Sequence, residues 1–267
     1  MTSQLRDPIR GAPAAAETAG KRAGSDPQPS NAEPRLGPLL EARSSWHGLE
    51  PTSVYFRRGQ PLLNLLVLVA ILPPALPIGV AIALVNGILF RDPRQIFFVQ
   101  QRLGWRGRPF RLFKFRTMRE IPQADFTSWE NGDRLRVTRF GRFLRNTHLD
   151  ELPQILNVLR GEMNFIGPRP EMLEIEAWAD ARVPGFTSRL VLKPGLTGWA
   201  QITQGYTGHD AEAYAMKLSS NEHYRRHLSL RFDLEILART AIWMVRGRGW
   251  NFPKGRKKAS RSATKAG

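Results

Sequence analysis

Two adjacent carboxylates, Asp150 and Glu151, lie just before Pro153. A proline inside a helix removes a hydrogen bond and clashes with the preceding turn, so it is best tolerated in the first turn. The sequence therefore predicts a helix that begins close to Asp150, with Asp150 as its N-cap. The helix dipole favours ionised carboxylates at this end, and an ionised aspartate can act as a nucleophile. An isolated Asp-Glu pair, however, is far more often an ordinary cap and first-turn acid.

The residues around this pair favour a catalytic interpretation. Four arginines surround it along the chain: Arg142, Arg145, Arg160 and Arg169. Acids that meet a phosphate need cations or a divalent metal beside them, because like charges repel. The run Gly167-Pro168-Arg169-Pro170 fixes the backbone and presents a planar guanidinium suited to phosphate. A phosphate-handling site is therefore expected here.

The helix after the acid pair has a regular apolar pattern. Four residues repeat at the spacing of one helical face, which predicts that this face is buried. They are Leu152, Ile155, Leu156 and Leu159. Gly161 is placed to end the helix in the left-handed conformation.

The segment from Pro61 to Phe90 is strongly apolar and carries no charge. It is long enough to cross a bilayer as a helix, but Pro73, Pro74 and Pro77 interrupt its middle, where a straight helix would break or bend. Arginines flank both ends: Arg57 and Arg58 before it, and Arg91, Arg94 and Arg102 after it. Positive charge tends to stay cytoplasmic, so both ends are expected on one membrane face. A re-entrant helix-break-helix hairpin fits these features; a kinked spanning helix is the alternative.

Composition narrows the class of partner. The 267 residues include 40 Lys+Arg and 23 Asp+Glu, a formal charge of +17. Such a surplus implies nucleic acid, anionic lipid or a phosphorylated substrate, and the uncharged apolar segment argues against nucleic acid. The chain has no cysteine, which excludes disulfides, thiol catalysis and cysteine metal sites.

Three motifs, in this order along the chain, resemble the bacterial sugar transferases, the monotopic phosphoglycosyl transferases. They are LFKFRTM at 112–118, LDELPQILNVLRGEMNFIGPRP at 149–170 and PGLTGWAQI at 194–202. The resemblance extends from about Tyr55 to Arg246. It differs at 203–210, at His148 and at Asn221, where the family more often has a Gly-Arg pair, a small hydroxyl residue and an acid.

The resemblance implies transfer of a sugar-1-phosphate from a nucleotide diphosphate sugar, a UDP-sugar by expectation, to polyprenyl phosphate. The products would be a polyprenyl-diphosphate sugar and UMP, and the reaction would begin surface polysaccharide or glycoconjugate assembly. Asp150 would be the nucleophile that carries a covalent phosphosugar, and Glu151 would be a ligand of Mg²⁺. Five residues are assigned to substrate binding or to support of the phosphate and metal site: Lys114, Arg116, Pro168, Arg169 and Asp233. For Asp233, a purely structural first-turn acid is almost as good an interpretation.

The expected fold is α+β and mainly helical, with a small β-hairpin near 91–118 and interfacial helices in a compact cytoplasmic catalytic domain. The segments are a disordered tail (1–50), a re-entrant membrane hairpin (51–91), the sugar transferase domain (92–246) and a polybasic disordered tail (247–267). The last helix, after Ser229, has the apolar spacing of an interfacial amphipathic helix. The implied location is the cytoplasmic face of a bacterial inner membrane, and anionic lipids are expected as partners of the basic tail.

Two alternatives to this interpretation stay open. In a one-step enzyme, Asp150 would be a base that activates polyprenyl phosphate, although that phosphate is already ionised near neutrality. A non-catalytic basic membrane adaptor is the other alternative. An adaptor would have no need of an intact combination of Asp150, Glu151 and Arg169.

Overall fold

The structure is a computed structural model that describes Trp46 and residues 48–119, 136–204 and 210–246. The polybasic tail, the predicted polar loop at 120–133 and most of the N-terminal tail lie outside the described residues. The predicted N-terminal tail extends too far, because Trp46 is buried in the core. Beside it, Arg225 donates a hydrogen bond to the Leu49 carbonyl (2.6 Å), and Arg106 pairs with Glu50 at 2.6 Å.

The described chain is mainly helical, with two small sheets, which confirms the expected class. The helices are α1 (Gln60–Phe90), α2 (Arg139–Thr147), α3 (Ile155–Leu159), α4 (Leu173–Arg182), α5 (Trp199–Gln204), α6 (Ala211–Arg226) and α7 (Leu230–Val245). The strands are β1 (Phe97–Leu103), β2 (Pro109–Phe115), β3 (Asn164–Ile166) and β4 (Gly195–Thr197). Strands β1 and β2 form the predicted antiparallel hairpin, and β3 pairs with β4 in parallel.

The apolar segment forms α1, one continuous helix with Pro73, Pro74 and Pro77 inside it. The predicted interruption between two helices is therefore wrong at the level of secondary structure. A proline removes only its own amide donor, and the residues around these three continue the helical pattern. With the turn before it, Tyr55–Phe90 is long and apolar enough to cross a membrane, by length and composition alone. The re-entrant path stays a prediction.

Both ends of α1 are attached to the same domain. Near its start, the Gln60 side chain donates to the Tyr224 hydroxyl (2.9 Å). Near its end, the Asn86 amide donates to the carbonyls of Ile96 and Arg116, both at 3.1 Å. Between these attachments, residues 69–78 are exposed apart from Ala75. The ends of the helix are therefore held by the domain, while its apolar middle is left uncovered.

Asp233 lies in a buried polar cluster that holds the start of α1. Its carboxylate accepts hydrogen bonds from the hydroxyls of Tyr55 (2.6 Å) and Tyr224 (2.8 Å) and from the Gln60 amide (3.3 Å). The side chain is fully buried. Burial raises its pKa, and the three donors act in the opposite direction. This geometry supports the structural interpretation and gives no support to the predicted substrate contact.

We expect Asp233→Asn to lower the free energy of unfolding by about 1–3 kcal/mol, because an amide group would face hydroxyl donors in a buried site. Urea unfolding in detergent measures this. The control is Glu235→Gln on the same helix, where the partly exposed Glu235 pairs with Arg239 and little change is expected. Equal effects of the two variants would contradict the buried-cluster role.

Candidate active site

The acid pair is positioned by a tight connection between α2 and α3. Helix α2 ends at Thr147, His148 follows with a left-handed backbone (φ 57°), and a 3-10 helix then runs from Leu149 to Gln154. The prediction that Asp150 is an N-cap is therefore wrong: His148 occupies that position, and Asp150 lies in the first turn of the 3-10 helix.

The 3-10 turn also changes which side chains face the core. It has three residues per turn instead of 3.6, so a periodicity counted at the α-helical spacing loses its phase. Ile155 is buried as predicted, but Leu156 and Leu159 are 46% and 53% exposed. Gly161 ends the segment with φ 72°, as predicted.

Glu151 forms the centre of an ion cluster. Its Oε1 accepts hydrogen bonds from Lys114 Nζ and Arg169 Nη2, each at 2.7 Å. Burial alone would raise the pKa of Glu151, but the charges and hydrogen bonds of these two cations hold it well below its usual range. Three residues that the sequence singled out are thus brought together in the fold, and Glu151 is ionised.

Asp150 has a different environment from its neighbour. Its side chain is buried, with 8% of the residue exposed, and no hydrogen bond links its carboxylate to another side chain within the described residues. Burial raises the pKa of Asp150 to about 6; the charge of Glu151 adds to this effect, and Lys114, Arg145 and Arg169 oppose it. Above that pH, Asp150 carries an ionised and weakly solvated carboxylate, which favours nucleophilic attack.

Both acids open into a cleft of about 850 Å³ whose charged lining is mostly positive. Eight cationic residues line it: Arg94, Arg102, Lys114, Arg116, Arg119, Arg136, Arg145 and Arg169. The predicted binding residue Arg116 is therefore in the cleft. Arg145 is fixed there by a hydrogen bond from Nε to the Thr117 hydroxyl (2.9 Å). Eight cations against two carboxylates favour a ligand with several negative charges.

The turn that presents Arg169 is held through its backbone. Pro168 is buried and does not line the cleft; its carbonyl accepts a hydrogen bond from the Gly195 amide (3.0 Å). A Cβ at Gly195 would lie 2.1 Å from the Gly167 nitrogen, so this close backbone approach requires glycine. Pro168 was predicted to contact substrate; it lies outside the cleft lining, and this contact stays a prediction.

Sequence reasoning missed Arg102 as a site residue. It lines the cleft, and its Nη1 donates to the Pro170 carbonyl (3.3 Å). Burial lowers its pKa to about 10. The hairpin register pairs Phe98 with Lys114, and Arg102 projects from the same face of β1 as Phe98. Strand alternation was therefore the signal that could have found it.

His148 contributes a neutral ring at the edge of the cleft. Burial lowers its pKa further below 6.5, against the effect of Glu151, and the ring lies 5.2 Å from that of Trp243 on α7. Its buried Nε2 has no hydrogen-bond partner within the described residues.

The oxygen donors of the acid pair limit how the cleft could hold Mg²⁺. Among the described residues, no group of three or more His, Cys, Asp or Glu could hold a metal. Mg²⁺ is nevertheless commonly bound by one or two carboxylates together with substrate phosphates and water. Glu151 Oε2 has only a long contact, 3.5 Å from Arg169 Nη1, so this oxygen is available. The pair fits a metal that arrives with a diphosphate.

Comparison with known proteins defines the class of this chain. The family model described as "Bacterial sugar transferase" matches residues 56–247. The chain belongs to the bacterial sugar transferase family.

Particular relatives carry more specific names. A "UDP-N-acetylgalactosamine-undecaprenyl-phosphate N-acetylgalactosaminephosphotransferase" from Aeromonas hydrophila is 33% identical over 81% of this chain and 48% of its own length. A "UDP-glucose:undecaprenyl-phosphate glucose-1-phosphate transferase" from Xanthomonas campestris is 38% identical over 70% of this chain and 39% of its own. The "Exopolysaccharide production protein ExoY" of Sinorhizobium fredii is 37% identical over 70% of this chain and 84% of its own. The chain thus spans about half or less of the first two relatives.

Proposed function

We propose that this protein transfers a sugar-1-phosphate from a UDP-sugar to polyprenyl phosphate, forming a polyprenyl-diphosphate sugar and UMP at the start of surface-glycan assembly. The observation that carries this proposal is the Asp150-Glu151 pair, held by Lys114 and Arg169 in a strongly basic cleft. The names of the relatives, which join UDP-sugars to undecaprenyl phosphate, support it. Transfer of radiolabel from a panel of UDP-sugars to undecaprenyl phosphate tests the function and identifies the sugar.

The proposed reaction has two displacement steps. An Asp150 carboxylate oxygen attacks the phosphorus that carries the sugar; the new O–P bond forms as the bond to UMP breaks, and UMP leaves. The phosphate oxygen of the lipid then attacks the same phosphorus and releases the Asp150 carboxylate. Neither nucleophile needs to lose a proton when it is already ionised, so no general base is required.

Cations of the cleft supply electrostatic stabilisation. Arg169 and Lys114 hold Glu151 beside Asp150 and offer charge to the transferred phosphate, while Arg116, Arg145 and Arg102 surround the diphosphate. Positioned cations that stabilise developing charge are a major source of catalysis in phosphoryl transfer. Glu151 would hold Mg²⁺. Bound there, the metal would neutralise charge on the diphosphate and on the departing UMP.

The pH dependence should report the ionisation of Asp150. Because burial raises its pKa to about 6, the fraction of ionised nucleophile falls about tenfold per pH unit below that value. We expect the rate of UMP release in the first step to rise up to about pH 6 and then level off. Rapid-quench measurements across pH 5 to 8 check this.

The control for this pH profile is His148→Asn, since His148 is the nearby group whose ionisation could produce a similar profile. The acidic limb must persist in this variant. Its disappearance would assign the limb to His148 and contradict the role given to Asp150.

We also propose that α1 is re-entrant and that the domain lies on the cytoplasmic face of a bacterial inner membrane. One domain holds Gln60 at one end of α1 and Asn86 near the other. In a spanning helix these ends would lie on opposite sides of the bilayer, where a single water-facing domain could not reach both. The exposed apolar side chains at 69–78 would then enter the lipid.

The membrane path can be tested by labelling, because the chain has no cysteine of its own. Single cysteines at Arg58 and Arg94 should both resist an impermeant thiol reagent added outside intact cells, and both should react after the cells are opened. Reaction of one of them from outside would establish a spanning helix.

A further inference from the structure

The rim of the cleft at β1 is apolar, in contrast to its basic interior. Phe97 and Val99 line the cleft and are 41% and 48% exposed. Phe98, also in the lining, is half-buried. Exposed apolar side chains at the edge of a binding cleft favour a ligand with an apolar portion.

This rim continues directly into the membrane helix. The ring of Phe97 stacks on that of Phe115 at 5.4 Å. Phe115 is buried in a cluster with Ile82 of α1, and a Cβ on Gly79 of α1 would lie 4.0 Å from the Phe115 ring. Apolar packing through Phe115 and Ile82 therefore joins the rim to α1.

We propose that this rim, formed by Phe97 and Val99, binds the isoprene units nearest the phosphate of the lipid acceptor. Charge complementarity gives the orientation: Arg94 and Arg116 line the same cleft, so the anionic head points inward and the apolar chain leaves along α1. The inference rests on the proposed function, and it adds the place where the acceptor enters.

The two steps of the reaction separate this inference from the proposed function. In the double variant Phe97→Ser/Val99→Ser, UMP release from UDP-sugar alone should be unchanged, because that step needs no lipid. The KM for undecaprenyl phosphate should rise about tenfold or more. A water-soluble short-chain polyprenyl phosphate should show the same rise, since the proposed contact is with the units next to the phosphate.

Two further variants keep the test decisive. Val99→Thr, nearly the same size, should show a smaller KM increase even if the double variant folds poorly. Met216→Ser on α6, 52% exposed and outside the cleft lining, should leave KM unchanged. An unchanged KM in both rim variants, or an effect confined to the long-chain acceptor, would overturn the inference. If the unmodified protein released no UMP from UDP-sugar, the proposed function would be overturned instead.

A separate observation concerns Arg189, which lies behind the turn that carries Arg169. Arg189 Nη1 donates to the Arg169 carbonyl (2.9 Å), and its other terminal nitrogen pairs with Glu176. The side chains of Arg189 and Glu176 are 1% and 0% exposed. Pro170 has no amide hydrogen to donate. The second half of the turn is therefore held by hydrogen bonds that the carbonyl oxygens of the turn accept.

From this geometry we infer that Arg189 and Glu176 are positioning residues for the transfer reaction. The pair fixes the backbone of Arg169, and the Arg169 side chain in turn fixes Glu151 at 2.7 Å. Misplacement of a catalytic group by a fraction of an ångström lowers the rate of the chemical step more than it lowers ground-state binding.

The test uses kcat and KM separately. We expect Arg189→Met to lower kcat about tenfold to a hundredfold, with little change in the KM for UDP-sugar, and Arg189→Lys to restore part of the loss. The control Lys217→Met breaks the neighbouring buried pair with Glu171, which does not contact the Arg169 carbonyl. Equal losses of kcat in the two methionine variants, with no rescue by lysine, would reduce Arg189 to a structural role.

Discussion

Asp150→Asn is expected to reduce sugar-phosphate transfer by at least about 10⁴-fold, because the amide keeps the size of the side chain but loses the nucleophilic charge. The same change should stabilise the fold. At pH 7.5 the ionised carboxylate is held in a site that raises its pKa from 3.8 to about 6. The pKa of Asp150 is higher in the folded protein than in the unfolded protein. Keeping the carboxylate ionised above that pKa therefore costs about 3 kcal/mol of folding free energy.

Steady-state release of UMP and thermal unfolding in detergent measure the two effects. An inactive but more stable variant is the result expected for a residue that serves catalysis at the expense of stability. The control is Asp92→Asn, outside the cleft lining, where Asp92 caps a short turn through the Arg94 amide (2.9 Å); it should retain activity. Substantial turnover by Asp150→Asn would contradict its role as nucleophile.

Glu151→Gln is expected to lower transfer about 10²- to 10³-fold. The amide leaves Lys114 and Arg169 without their shared anion and weakens any metal contact made through Glu151. With Mg²⁺ varied from micromolar to tens of millimolar, the variant should need more metal than the unmodified protein, and excess metal should recover part of the rate.

The metal titration separates the two roles of Glu151. Recovery at high Mg²⁺ would support a role in holding the metal. A loss of rate with an unchanged Mg²⁺ requirement would assign Glu151 to positioning Lys114 and Arg169 alone. Activity close to that of the unmodified protein would contradict both roles.

The features that could be predicted from the sequence are those with a local cause. The β-hairpin follows from glycine turns and alternating side chains, and Gly161 follows from its own conformational freedom. Lys114 lies in one of the family motifs and Glu151 and Arg169 lie in another, and the fold brings the three residues together. Each of these motifs and turns can be recognised within a short stretch of chain.

The features that were missed depend on the phase of a turn or on distant contacts. Asp150 was placed as an N-cap because a 3-10 helix cannot be told from an α-helix by the position of one proline. The buried cluster around Asp233 was not foreseen, because its partner Tyr55 lies 178 positions away. Arg189 belongs to no motif, and its contact with the Arg169 carbonyl exists only in the folded chain.

The covalent step is tested most directly by supplying UDP-sugar without any lipid acceptor. The two-step account predicts release of UMP in an amount equal to the enzyme present, followed by a stop. Mass spectrometry should then find a sugar phosphate added to the peptide that contains Asp150, and the Asp150→Asn protein should show neither. If UMP appears only when polyprenyl phosphate is present and no adduct can be trapped, the covalent route is wrong and a one-step transfer replaces it.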